Sequence, residues 1–224
     1  MATLNLNPYK PAPGNSVASV PIDNAFDAIM ASVNGIDQTQ FAAGRIFDPT
    51  KLIEASSVQR IADSTAGGAV ASIDITSIPA TFLHLLVVFY LRGDINGIST
   101  PGILTVNNDS GSNYDRESIQ AGAASVSSAE QIASTSFSLC DVVGATGPAN
   151  SFSPGVLFIP AYAGANHKAM LTLSGMSRTT ASGGTFWEAN FLHWRSTSAL
   201  NRLTFSAVTS NFVAGSRVSI YGLG

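Results

Sequence analysis

Asn201-Arg202-Leu203-Thr204-Phe205 and, after a turn-rich joint, Asn211-Phe212-Val213-Ala214-Gly215-Ser216-Arg217-Val218-Ser219-Ile220-Tyr221-Gly222 bring the chain to its end. Leu203 and Phe205 alternate with Thr204, and Val218 and Ile220 alternate with Arg217 and Ser219. Successive side chains of an extended chain point to opposite faces, so a period of two gives each run one dry face. The ending therefore reads as a closing pair of sheet strands that belongs to the fold. Gly215, in the joint, suits a backbone conformation that other residues resist.

The same signal recurs upstream. Val70 to Ile75 alternates, and Leu83 to Leu91 is apolar on both faces: Leu83, Leu85, Val87 and Phe89 on one, His84, Leu86, Val88 and Tyr90 on the other. Apolar faces on both sides suit a central sandwich strand or a strand with one face at a subunit interface. Further strands are expected at Ile103–Val106, Phe137–Val143, Val156–Ile159, Lys168–Leu173 and Phe186–Trp194. Residues 112–135 are polar and small and read as a loop, or as a brief helix from Asn113 to Glu117. Eight or nine short strands without a βαβ rhythm predict a mainly β domain over 61–224. The expected form is an antiparallel jelly-roll-like β-sandwich preceded by a short helical and extended N-terminal segment. The Cys…Trp…Cys spacing of immunoglobulin domains is missing.

Residues 1–60 read differently. Pro8, Pro11, Pro13 and Pro21 mark an extended arm. Phe26, Ile29, Met30 and Val33 fall at offsets of three, four and seven, the stripe of a short helix capped near Asp23 and stopped at Asn34-Gly35. Three turns are marginal alone in water, so the stripe needs a partner, either its own domain or other copies. Phe41, Ile46, Phe47 and Leu52 continue the candidate docking or oligomerising set. Residues 54–70, rich in Ser, Ala and Gly, read as a connector.

Composition narrows the classes. Only 11% of the 224 residues are charged, and the net charge is −3. With no basic tract, a sequence-independent nucleic-acid binder is disfavoured. The low charge suits a chain that hides surface in an assembly. Cys140 is the lone cysteine, which excludes an intrachain disulfide and a thiolate cluster. No signal peptide is evident, and the longest apolar run is too short to cross a bilayer as a helix.

Chemistry is sparse. His84, His167 and His193 lie in separate segments, without the three or four convergent ligands that zinc requires. Asp109-Ser110-Gly111-Ser112-Asn113-Tyr114-Asp115 has the composition of a calcium loop but lacks its spacing and terminal Glu, so a tight turn is favoured. Catalytic carboxylates do not pair in sequence. Tyr162, Trp187 and Trp194 are candidate glycan-binding or interface aromatics, weighed against a place in the core. Arg195, Arg202 and Arg217 are expected to pair with Asp74, Asp94, Asp115 or Glu188, against the reading of ordinary surface charges. No catalytic residue, metal ligand or cofactor is assigned, and an enzyme is not expected.

Several motifs carry a resemblance. Phe26-Asp27-Ala28-Ile29 and Phe41-Ala42-Ala43-Gly44-Arg45-Ile46-Phe47-Asp48-Pro49 stand in the N-terminal segment. Ile78-Pro79-Ala80-Thr81, Ile159-Pro160-Ala161-Tyr162, Trp194-Arg195-Ser196-Thr197 and the closing stretch stand in the domain. On these the chain resembles minor structural proteins of tailed bacteriophages. The resemblance implies a virion component assembled in the host cytoplasm, most simply a homotrimeric tail-associated fibre or adhesion appendage. Its N-terminal segment would dock on other virion proteins, and its receptor would be a host surface glycan. A capsid decoration or head-fibre protein is the alternative, and a carbohydrate-binding or carbohydrate-cleaving β module is another. Neither nucleic acid nor membrane insertion is implied.

Overall fold

The structure, a computed structural model, describes residues 58–122, 125–178 and 184–224. Among them are twelve strands and no helix. They are β1 (Val58–Thr65), β2 (Ser72–Ile75), β3 (His84–Leu91), β4 (Ser99–Val106), β5 (Tyr114–Gly122) and β6 (Ser125–Ser134). The remainder are β7 (Phe137–Val143), β8 (Ser153–Pro160), β9 (Lys168–Ser177), β10 (Thr185–Trp194), β11 (Leu203–Ala207) and β12 (Arg217–Leu223). All named neighbours pair antiparallel. An eight-stranded sheet runs β1-β12-β3-β8-β9-β10-β5-β6, and a four-stranded sheet runs β2-β11-β4-β7. The fold is mainly β, with two antiparallel sheets in a sandwich-like arrangement.

Alternation decides which face each strand turns inward. In β3, Leu85, Val87, Phe89 and Leu91 are sealed. They share one core with Leu104 and Val106 of β4, Leu203 and Phe205 of β11, and Val218 and Ile220 of β12. Each such side chain, taken fully out of water, contributes roughly 1.5–3 kcal/mol. The Phe89 and Phe205 rings, from opposite sheets, sit with centres 6.2 Å apart. Close packing here needs a missing side chain: a Cβ added at Gly155 of β8, the residue opposite Phe89, would overlap the Phe89 ring. Gly215 has φ of 88°, the left-handed region that favours glycine, and turns the chain into β12.

The closing strands lie apart. β11 sits between β2 and β4 in the small sheet, whereas β12 sits between β1 and β3 in the large one. They flank the core on opposite sides instead of pairing with each other, and both are interior strands. The reason is the joint at 208–216, where Phe212 pairs with Val70 and bridges to Gly93, carrying the chain across.

Two other expectations are corrected, and one pair of alternatives is narrowed. The stretch read as a connector contains β1, which pairs with β12 along its length. Arg217 holds it there, donating from Nε to Asp63 Oδ1 at 2.7 Å and from Nη2 to Asp63 Oδ2. The polar stretch 112–135 contains β5 and β6, and β5 completes the pairing of β10. Of the two alternatives for β3, coverage of both faces within the sandwich is not seen: Val88 and Tyr90 of its second face are exposed. The helix expected near Asp23 lies outside the described residues, as do Phe26, Ile29, Met30, Val33, Phe41, Ile46, Phe47 and Leu52.

Candidate functional site

Antiparallel partners directly opposite one another project to the same side, so the outward surface of the large sheet can be traced rung by rung. One rung runs Ser219, Val88, Val156, Leu173, Ala189, Ile119, Ser128. The next runs Tyr221, Leu86, Phe158, Leu171, Phe191, Glu117, Glu130. Leu171, Leu173, Ile119, Trp187 and Phe191 are about half exposed. Beside Val88, Tyr90 and Val156 the surface dips into an apolar depression of about 390 Å³, floored by Gly155 and Gly175. Among the described residues, the acidic and arginine side chains on this face stand toward its margins: Arg60, Arg217 and Asp63 on one side, Asp115, Glu117 and Glu130 on the other. An apolar centre with a charged rim is the anatomy of a protein interface.

The inward side of the same extension is polar. Glu188 and Asn190 of β10, Thr172 and Ser174 of β9 and Ser118 of β5 are all buried. Asn190 Nδ2 donates to the Leu139 carbonyl of β7 at 3.2 Å and to Thr172 Oγ1 at 3.1 Å. This cross-sheet bond satisfies the Leu139 carbonyl on β7, which is the last strand of the small sheet. Glu188 Oε1 and Ser174 Oγ have no hydrogen-bond partner among the described residues. Burial, reinforced by the charge of Asp141 and opposed by Arg116, pushes the Glu188 carboxyl up to about 7. Burial raises Asp141 too, against the pull of Arg178 and Arg116. The neighbouring Cys140 thiol is driven well above its usual value by burial and then by these two carboxylates. Glu188 is only 3% exposed. Its carboxyl therefore meets protein atoms and has no opening to a substrate.

The aromatic candidates separate. Tyr162 and Trp194 are sealed in the core, so neither offers a ring face to a glycan. The Tyr162 hydroxyl donates to the Pro79 carbonyl. Trp187 alone of the three is on the surface, within the outer apolar face. Asp109 is the centre of a turn: it accepts from Gly111 N at 2.8 Å, Asn113 Nδ2 at 2.9 Å and Trp194 Nε1 at 2.7 Å. Burial opposes ionisation of Asp109, and these three bonds outweigh it, holding the carboxyl below its usual range. With both oxygens so engaged, Asp109 serves the turn.

Two arginine expectations hold: Arg202 grips Asp74, and Arg195 lies 3.3 Å from Asp115. Asp94 is instead bonded by Asn211 and Ser210. His84 accepts from the Ala161 amide at 3.1 Å and packs on Phe158. Sequence reading kept the other two histidines apart, yet the β9–β10 pairing brings His167 and His193 within 3.3 Å. No spacing signal links positions 26 residues apart. Among the described residues, no three His, Cys, Asp or Glu side chains gather into a metal site, and no helix is long and apolar enough to cross a membrane. Comparison with protein-family models, with curated proteins and with solved structures finds no match.

Proposed function

We propose that this chain is a structural subunit of a bacteriophage virion, a homotrimeric tail-associated fibre or adhesion appendage that assembles through the outer face of its large sheet. The observation that carries the reading is the uncharged apolar centre of that face, bounded by charged margins. Strands stand about 4.8 Å apart and rise about 3.3 Å per residue, so eight strands of seven residues span about 900 Å². A stable interface takes about 800 Å² from each partner. The former area covers the whole face, charged margins included, and the apolar residues exposed at its centre are the part that marks a site of association.

Topology lends support. With the hairpin β5–β6 and the pair β9–β10 set aside, the remaining strands run β1-β12-β3-β8 and β2-β11-β4-β7. That order is the double Greek key of a jelly roll, the finer form of this fold that we propose. Jelly rolls serve in viral capsid and lectin domains, and the analogy is one of fold alone. It also favours the second reading, a capsid decoration or head-fibre protein. A glycan-binding module would have to use Trp187 and its outer-face neighbours.

Two measurements test the proposal. Sedimentation of the full chain should give three times the chain mass, and a monomer at every concentration would overturn self-assembly. Antibody labelling of intact particles should decorate the tail. Label on the head would select the decoration reading, and unlabelled particles would remove both.

A further inference from the structure

His167 immediately precedes β9, and His193 lies near the end of β10, opposite Ala169. His167 Nδ1 and His193 Nε2 are 3.3 Å apart, while the ring centres are 5.2 Å apart and the planes meet at 46°. The centres stand closer than a collinear pair at this nitrogen separation would, so the two ring axes are bent with respect to each other. Take a centre-to-nitrogen length of about 1.1 Å and axes disposed symmetrically. In that symmetric arrangement they meet about 1.9 Å beyond each nitrogen, at about 120°, near the distance and angle of a pair of histidine ligands on zinc. A linear N–H···N bond of the same length would place the centres about 5.5 Å apart.

The surroundings fit such an ion. Asp115 Oδ2 lies 3.4 Å from His193 Nδ1. A carboxylate at that nitrogen keeps its proton there and leaves the Nε2 lone pair facing His167, the carboxylate–histidine–metal arrangement. Asp115 is itself held by the Ala133 amide at 2.8 Å and by Arg195. Arg195 would oppose a bound cation, and its pairing with Asp115 offsets that. Lys168 is turned away, its Nζ donating to the Gly164 and Asn166 carbonyls. His167 is exposed, and the His193 side chain is 32% exposed, so water reaches both.

We propose that His167 and His193 form a two-histidine site for a divalent ion of the zinc class, with water completing the coordination and Asp115 orienting His193. The site stands independently of the assembly reading. It lies at the end of the outer face, two residues beyond Phe191.

Untagged full-length protein, which has three histidines, should be titrated with Zn²⁺ by calorimetry and with Co²⁺ by visible absorption. One ion per chain and a tetrahedral cobalt band are expected. His167→Ala and His193→Ala should each weaken binding more than tenfold, and Asp115→Asn about tenfold. His84→Ala should leave it unchanged. Ring proton resonances of two histidines, and not the third, should shift on adding Zn²⁺ to the unaltered chain, a readout that needs no variant. Absence of uptake at millimolar ion would overturn the site and leave the pair as an N–H···N hydrogen bond. Full affinity in His167→Ala, or shifts confined to His84, would overturn it equally.

Discussion

Trp194 Nε1 donates to Asp109 Oδ2 across 2.7 Å, tying the end of β10 to the turn that follows β4. The same turn is gripped from below by the Tyr114 hydroxyl, which donates to the Asp109 carbonyl at 2.8 Å. Burial, first of all, pushes that phenol up to about 12. A tryptophan that sequence alone offers as a ligand platform is thus a strut. Asp109→Ala removes the acceptor for the indole, Asn113 and Gly111 at once. It should cost about 2–3 kcal/mol, since unsatisfied donors lose more than the bond itself was worth. Trp194→Phe, which keeps most of the ring, should cost less. Urea denaturation midpoints measure both.

Glu188 makes stability depend on pH with an unusual sign. Its carboxyl is pushed up to about 7 in the fold, from an ordinary value of 4.5. The folded state therefore holds the proton more tightly. Its stabilising effect is full below about 4.5, declines as pH rises, and is lost above about 7. The decline should amount to about 3 kcal/mol. The lowered carboxyls, Asp63, Asp74, Asp94, Asp109 and Asp115, act oppositely, being favourable above their unfolded value near 3.8 and lost in more acid solution. Glu188→Gln should flatten the slope between pH 4.5 and 7 and raise stability at pH 8. An unchanged slope in that variant would show that another group carries it.

Gly155 and Phe89 form a fitted pair. Because a side chain at 155 would overlap the Phe89 ring, Gly155→Ala should destabilise the domain by about 1–3 kcal/mol through overpacking. In a Phe89→Leu background the same substitution should cost measurably less. A double-mutant cycle in urea reads the coupling, and strict additivity would show that the ring moves aside freely.

Leu171 and Phe191 stand opposite each other on the outer face, both about half exposed. Leu171→Glu or Phe191→Glu should leave the melting temperature nearly unchanged and weaken self-association about tenfold or more, as truncation of a central contact does. Ser128→Glu, near the charged margin, should have little effect. Sedimentation across a concentration series distinguishes these. Equal association in all three would move the interface elsewhere.

Legibility followed the asymmetry between faces. β9 and β10 have buried and open residues in strict alternation, and Lys168–Leu173 and Phe186–Trp194 announce it. β6 is open on both faces, and β1 is buried nowhere along its length. Both are edge strands of the large sheet. A strand with no dry face leaves no period of two to read, so these segments looked like loop and connector. The partner of Arg217 was missed for the same reason, because Asp63 stands on the unread β1. Two of the three ring-bearing candidates, Tyr162 and Trp194, turned inward, and aromatic identity alone does not distinguish a core ring from a surface one.

What the sequence by itself determined is the mainly β character and the dry residues of the well-patterned strands, including Leu203, Phe205, Val218 and Ile220. That follows because side-chain alternation is a local property of extended chain. Only the tertiary structure decided who stands beside whom: β11 and β12 in different sheets, β5 against β10, His167 against His193. Backbone hydrogen bonds are the same for every residue, so a ladder does not name its partner. The choice is made when the whole core closes. The apolar outer face, continuous across strands distant in sequence, exists only after that closure.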